Sequence, residues 1–173
     1  YRTDIGPKFS ANFSYNNVGG MNRTIKLQGQ VNKRLEFNSL EASRRQIKRD
    51  LIEYNGKLTY IEPYLFGFPL GFDSSISTSR TRFYSFDANI SRVSMSLNKE
   101  WNKVLSNSLT YQLEAIDQSN ASEAEDNGFF RIGGLTPSMN IDFRDNKVIP
   151  TKGALFSFST EFANPLFLSR DDP

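Results

Sequence analysis

The sequence predicts an all-β chain forming about half of an antiparallel up-and-down transmembrane barrel, and three observations predict it. Apolar and polar residues alternate with period two along segment after segment, which is the pattern of strands with two unlike faces. The polar positions are filled mainly by Ser, Thr, Asn and Gln with scattered charges, a composition that suits a wet lumen. Compact turns alternate with longer polar connections, as in transmembrane barrels.

Composition removes whole classes of chemistry. The 173 residues include no Cys and no His, which excludes disulfides, thiolate nucleophiles, imidazole acid/base chemistry and nearly all zinc or haem ligation. Catalysis would rest on carboxylates, Lys, Tyr or Ser alone; no catalytic, cofactor-binding or metal-ligating residue is assigned, and no enzyme activity is expected. A net charge of +2 is too small for a nucleic-acid binder, and no basic face interleaves with aromatics. No apolar run approaches the ~20 residues of a membrane-spanning helix. The chain opens and closes in mid-pattern without a signal peptide, so it reads as a fragment of a longer protein.

In chain order, residues 1–6 read as the tail of an earlier strand plus a turn. Phe9, Ala11, Phe13 and Tyr15 then alternate with Lys8, Ser10, Asn12 and Ser14. The Asn- and Gly-rich NNVGGMN supplies a turn whose residues tolerate positive φ. Ile25, Leu27 and Val31 alternate with Thr24, Lys26, Gln28 and Gln30 beyond it. Residues 32–53 are least legible. Leu40, Ile47 and Leu51 suit a helix face, but strand ends meeting in a polar loop are preferred, with Arg44, Arg45, Lys48 and Arg49 solvated or paired with anionic headgroups.

KLTYIEPYL returns to a strand that Pro63 stops, because proline has no N–H for the ladder. Phe66 to Pro69 form an aromatic turn. Further strands carry Leu70, Phe72 and Ile76, then Val93, Met95 and Leu97, then Leu109, Tyr111, Leu113 and Ala115. Residues 117–127 are polar, acidic and aperiodic, and read as a loop. The total is about eight strands of roughly 9–11 residues, the length a tilted spanning strand requires.

Residues 133–162 form the most legible hairpin. Leu135, Pro137, Met139, Ile141 and Phe143 alternate with Thr136, Ser138, Asn140, Asp142 and Arg144; Phe156, Phe158 and Phe162 follow a turn built on Asp145, Asn146, Pro150 and Gly153. Asn140, Asp142 and Arg144 share a polar face, so they are candidates for a polar lumen wall, with Asp142 and Arg144 able to pair. Phe9, Phe13, Ile25, Leu27, Met139, Ile141, Phe156 and Phe158 are the matching candidates for a lipid face. Tyr15, Tyr64, Phe66, Phe68 and Trp101 lie near the compact turns and suit an interfacial girdle. A soluble β-sandwich or lipocalin-like binding module, with these aromatics in a core, is the alternative. A catalytic carboxylate pair such as Asp142 and Glu161 has only hairpin proximity behind it.

The segment GGLTPSMNIDFRDNKVIPTKG resembles the strand-turn-strand motif of the BamA/TamA superfamily of outer-membrane assembly and translocation barrels, in which an RDN-type tripeptide precedes a P-T-x-G turn. NNVGGMNRTIKLQGQ is similar to that family's glycine-rich turn between its second and third strands, and YIEPYLFG to its E-P-Y strand end. The resemblance covers most of the chain. It implies the N-terminal part of a barrel of about 16 strands, from the end of the first strand to about the ninth. The implied location is the bacterial outer membrane, and the implied role is to fold and insert other barrels through a lateral seam. A TamA-type or two-partner-type translocation barrel is the near alternative. Outer-membrane lipids, client β-barrel proteins and accessory assembly lipoproteins are the implied partners, the last through domains outside this chain. The seam, the inward Arg-Gly loop and the periplasmic POTRA modules are expected outside it as well.

Overall fold

Two-residue periodicity dictates strands, and the computed structural model, which describes residues 5–34, 52–82, 87–119 and 128–172, assembles them into a single antiparallel sheet. Strands β1 (Ile5–Val18), β2 (Arg23–Arg34), β3 (Ile52–Glu62), β4 (Gly71–Arg82), β5 (Asp87–Glu100), β6 (Leu105–Ser119) and β7 (Gly128–Asp142) each pair with the next in sequence. Three short segments, β8 (Leu155–Ser159), β9 (Phe162–Ala163) and β10 (Arg170–Asp172), then follow one another along the far edge of β7. They make one interrupted final stave. The sheet is up-and-down and open, with β1 paired only to β2.

Register keeps the two faces distinct across the whole sheet. Phe13 lies opposite Leu27, then Leu58, Ile76, Val93 and Leu113 in one continuous row. The adjacent row runs Asn12, Gln28, Lys57, Ser77, Arg92 and Glu114. A slip of one residue between any two strands would mix these rows, so the pattern itself specifies the pairing. Charged residues on the apolar face lie toward the strand ends. Arg23, Glu62 and Lys99 stand beside the short turns, and Lys33, Arg80, Asp117 and Arg131 stand toward the other end.

No second layer covers the apolar rows among the described residues. Ala88, 2% exposed, is the one buried apolar residue there, whereas Phe9 and Phe13 are 72% and 61% exposed. A β-sandwich of this composition would bury such a face against a second sheet about 10 Å away. A wall that meets lipid leaves it bare.

Several boundaries differ from those expected. Ile5 and Gly6 belong to β1 rather than to a preceding strand and turn, and a register shift between Ile5 and Lys8 absorbs Pro7. A bulge tolerates the missing N–H that a regular ladder would need. Both ends of the expected loop at 32–53 are strand, since β2 continues to Arg34 and β3 starts at Ile52. The helix-or-loop alternative and the basic cluster at Arg44, Arg45, Lys48 and Arg49 lie outside the described residues. Likewise Asp117, Gln118 and Ser119, read as loop, are ladder partners of Asn89, Ala88 and Asp87. Main-chain pairing continues past the point where side chains stop alternating, which also lengthens β6 and β7 to 15 residues each.

The interruptions of the final stave have local causes. Thr160 donates its N–H to Pro137, but Pro137 has no N–H to return, so the ladder breaks between β8 and β9. Residues 164–169 then leave the edge altogether. Asn164 caps a short 3-10 turn at Pro165–Phe167 by accepting from the Leu166 N–H at 3.0 Å, and Leu168 takes a left-handed conformation with φ 70°. The excursion rests on Gly133. The Ser169 hydroxyl accepts from the Gly133 N–H at 3.0 Å and donates to its carbonyl at 3.1 Å, in place of a strand partner. The Tyr111 hydroxyl donates to the Phe167 carbonyl at 3.1 Å. A Cβ at Gly133 would stand 1.6 Å from the Phe167 oxygen, whereas one at Gly29 would meet nothing within 4 Å.

Gly133→Ala is therefore expected to destabilise the folded protein by about 1–3 kcal/mol through overpacking, and Gly29→Ala to change stability by less. Urea unfolding in lipid vesicles measures both; equal midpoint shifts would contradict this packing.

Candidate functional site at the short-turn rim

Antiparallel connectivity places the turns after β1, β3, β5 and β7 at one end of the sheet, and side chains fix each of them. After β1, Asn17, Gly19, Gly20 and Asn22 all have positive φ, and the Asn17 side chain accepts the Asn22 N–H at 3.0 Å. Asn and Gly reach that region at least cost. After β3, a 3-10 turn at Leu65–Gly67 carries Phe66 at φ 53° and is closed by the Leu65 N–H donating to the Leu70 carbonyl at 2.8 Å. After β5, Asn102 Oδ1 accepts from the N–H groups of Val104 and Leu105, both at 2.8 Å.

The connection between β7 and β8 is organised by Asp145. Its Oδ1 accepts from the N–H groups of Asn146, Thr151 and Lys152 at 2.9, 3.0 and 3.1 Å, and its Oδ2 accepts from the Thr151 hydroxyl. Asn146 accepts from Val148 and Ile149 at 2.8 and 3.1 Å. Pro150 sits between these two sets of bonds. Gly153, at φ 103°, passes so close to the Phe143 carbonyl that a Cβ would stand 2.2 Å from its oxygen. All of the expected turn residues are thus in the turn, and the D-N and P-T-x-G elements are the two halves of one hydrogen-bonded clamp.

Asp142 and Arg144 form a fork-to-fork pair. The Arg144 Nε donates to Asp142 Oδ1 at 2.8 Å and Nη2 to Oδ2 at 2.9 Å, while the Arg144 main-chain N–H adds a third bond at 3.1 Å. This geometry satisfies both carboxylate oxygens and holds the strand end against the turn. Asn140 does not join the pair. It lines, with Asp142, Glu100, Lys103, Lys147 and Leu155, a cavity of about 290 Å³ between the turns after β5 and β7. Glu161 lies beside Gly134, eight β7 positions from Asp142 or roughly 26 Å along the strand, so these carboxylates are not brought together.

Sequence reading missed the rim's other polar cluster. Glu62, 9% exposed, accepts from Arg23 Nε at 2.9 Å and Nη2 at 2.7 Å with one oxygen and from the Tyr60 hydroxyl at 2.8 Å with the other. Arg23 opens β2 where Glu62 closes β3, and that register was the available signal. The glutamate of the E-P-Y strand end thus bridges two strands just before Pro63 ends the ladder. Around it the rim is apolar. Tyr15, Tyr64, Phe66, Phe68 and Trp101 are all exposed, Phe66 by 87%. Lys99 stands 5.6 Å above the Trp101 ring and donates to the Pro69 carbonyl at 2.9 Å, which ties neighbouring turns together. Phe9, Phe13, Ile25, Leu27, Met139, Ile141, Phe156 and Phe158 share the apolar face by register.

The Thr151 hydroxyl, then the Lys152 and Thr151 N–H groups, hold the Asp145 carboxyl down at about 2 against an ordinary 3.8. A depressed folded value means that the clamp's contribution is whole above pH ~4 and is lost as pH falls toward 2. Faster amide exchange at Thr151 and Lys152 across that window is the expected outcome. Asp145→Asn should show the faster exchange already at neutral pH, and protection that ignores both changes would contradict the clamp.

A family model for the Omp85 superfamily domain matches residues 17–171, from the end of β1 through the last strand. No curated protein and no solved structure gives a significant match. The family match takes in β2 to β9 and nearly all of β10, the sheet's open meander and every short turn at the rim. With sheet, rim and family model in agreement over most of its length, this chain belongs to the Omp85 superfamily of outer-membrane β-barrel proteins.

Proposed function

We propose that the chain is part of the wall of an assembly barrel that folds and inserts other outer-membrane barrels, in the manner of the BamA type. The observation that carries this reading is the Omp85 match over residues 17–171, a superfamily whose barrels assemble or translocate outer-membrane proteins. The paired turn motifs NNVGGMN and RDNKVIPTKG, at one rim, support an assembly or translocation barrel. The apolar face is then the lipid face, with Phe9, Phe13, Ile25, Leu27, Met139, Ile141, Phe156 and Phe158 against acyl chains, and the polar face with Asn140 and Asp142 is the lumen wall. The exposed rim aromatics sit at the headgroup level on the periplasmic side.

The physical logic follows from the ladder. In lipid a sheet must close on itself to satisfy its edges, and an assembly barrel retains one weak seam where a client strand adds to an edge. This chain supplies wall. The seam and the docking of accessory lipoproteins are expected in other regions of the protein. The barrel closes at about 16 strands with the remainder of the protein, in keeping with the even counts of bacterial outer-membrane barrels.

Reconstituted into liposomes, the full-length protein is expected to accelerate the folding and membrane insertion of an added client barrel, read as heat-modifiable migration and protease protection. Export of an unfolded polypeptide without any gain in client insertion would favour the translocation branch instead. For the two faces, Leu27→Arg is expected to cost roughly 2–4 kcal/mol near the bilayer midplane, and the adjacent Gln28→Arg much less. Similar costs at both positions, measured by unfolding from vesicles, would refute the lipid and lumen assignment.

A further inference from the structure

Ionised groups on the polar face are distributed unevenly. On β4 to β7 all but Glu100, at the rim, are engaged. Asp73 accepts from Asn98 at 2.6 Å, Glu114 from Arg92 at 2.7 Å, and Asp142 from Arg144. On β1 to β3 the polar rows instead carry Lys8, Lys26 and Lys57. All three are exposed, and none has a hydrogen-bonding or ion-pair partner among the described residues. Glu53, the carboxylate on this part of the face, accepts from Asn32 at 3.1 Å. Uncharged hydrogen-bonding groups fill the rest. Lys26 lies between Ser14 and Thr59, and Lys57 between Gln28 and Ser77.

Register fixes how these cations sit. Lys26 pairs with Thr59, so Lys57 is its diagonal neighbour on the next strand, about 7–8 Å away. Two flexible ammonium groups at that spacing reach a single carboxylate from both sides. Lys8 lies level with Asn32, and Lys57 level with Gln28 and Asn12. Four residues along and two strands across give a separation of roughly 16 Å. An extended polypeptide covers that distance in about five residues.

We propose that the polar face of β1 to β3 is a docking track for an extended acidic segment of a client polypeptide, with one carboxylate bracketed by Lys26 and Lys57 and another, about five residues away, at Lys8. This rests on the assembly reading of the barrel and adds to it the chemistry of what the lumen wall holds. The occupant is anionic because three lysines against the single carboxylate of Glu53 leave this part of the face net positive. It is extended because Lys8 stands four residues along and two strands across from Lys57, on the opposite side of that row from Lys26, a distance of roughly 16 Å that a compact turn does not span. The hydroxyls and amides between them serve its backbone and leave its remaining side chains unread, so binding selects charge spacing rather than sequence.

The test uses the full-length protein in nanodiscs and a fluorescent Ser/Gly decapeptide carrying two glutamates about five residues apart. Fluorescence anisotropy should give binding at low salt that weakens roughly tenfold in the Lys26→Gln, Lys57→Gln double variant and is restored in the Lys26→Arg, Lys57→Arg variant. The same peptide with lysines in place of glutamates should bind far more weakly. Equal binding of both peptides, or acidic-peptide binding that the Gln variant leaves unchanged, overturns the proposal. A photo-crosslinker at position 57 that captures only the protein's own chain, with the peptide present, overturns the client as occupant. Client insertion measured on the same preparations separates the readings: acidic-peptide binding without any insertion activity rejects the assembly function and leaves the track standing.

Discussion

Main-chain pairing between sequence neighbours carries this fold almost alone. Each strand from β1 to β7 exchanges hydrogen bonds with the next, and the described residues place no packed layer behind either face. A water-soluble sheet of this size would owe its stability to a buried apolar core. Here the row from Phe13 to Leu113 is apolar across six strands, in register, and no layer of the described residues covers it. The hydrophobic driving force that such a row represents is realised only against something outside the described residues, and on the proposed reading acyl chains supply it along the middle of the strands. In that environment every unpaired N–H or carbonyl is costly, which returns the weight to the ladder.

That dependence explains where the sequence spends its specialised residues. They are concentrated where the ladder ends or breaks. Asn17, Asn102, Asp145 and Asn146 accept main-chain N–H groups that have left strand pairing, and Glu62 ties Arg23 and Tyr60 together where Pro63 stops β3. At the interrupted final stave, the Ser169 hydroxyl replaces a missing backbone partner at Gly133. Between these points the strands need little beyond alternation, and their polar faces are free to vary in charge, as the contrast between β1 to β3 and the later strands indicates.

Much of this was legible in the residues. Period-two alternation gave the strands and their faces because side-chain direction in a strand follows position alone. The turn at 145–153 was legible because Asp, Asn, Pro and Gly each have a distinct local preference. Less legible were the strand ends. Asp117 and Gln118 break the pattern of β6 and yet stay in the ladder, since backbone pairing does not require an amphipathic side chain. Ile5 and Gly6, read as part of an earlier strand and turn, belong to β1, with a register shift at Pro7. Glu62 with Arg23, and Gly133 under residues 164–169, were hidden for another reason: each depends on a contact across strands that register sets and single-strand reading does not contain. The Asn-Pro after Ala163 and the Gly-Gly at 133–134 were the local signs of the second.

The central claim is that this sheet is a wall with lipid on one side and water on the other. Nitroxide labels placed singly from residue 8 to residue 15 of the full-length barrel in vesicles test it most directly, by comparing collisions with oxygen, which concentrates in the bilayer, and with a water-soluble nickel chelate. Oxygen accessibility should peak at Phe9, Ala11, Phe13 and Tyr15, with nickel accessibility peaking at Lys8, Ser10, Asn12 and Ser14. Accessibility that does not alternate, or that gives nickel the advantage on both faces, would contradict the account.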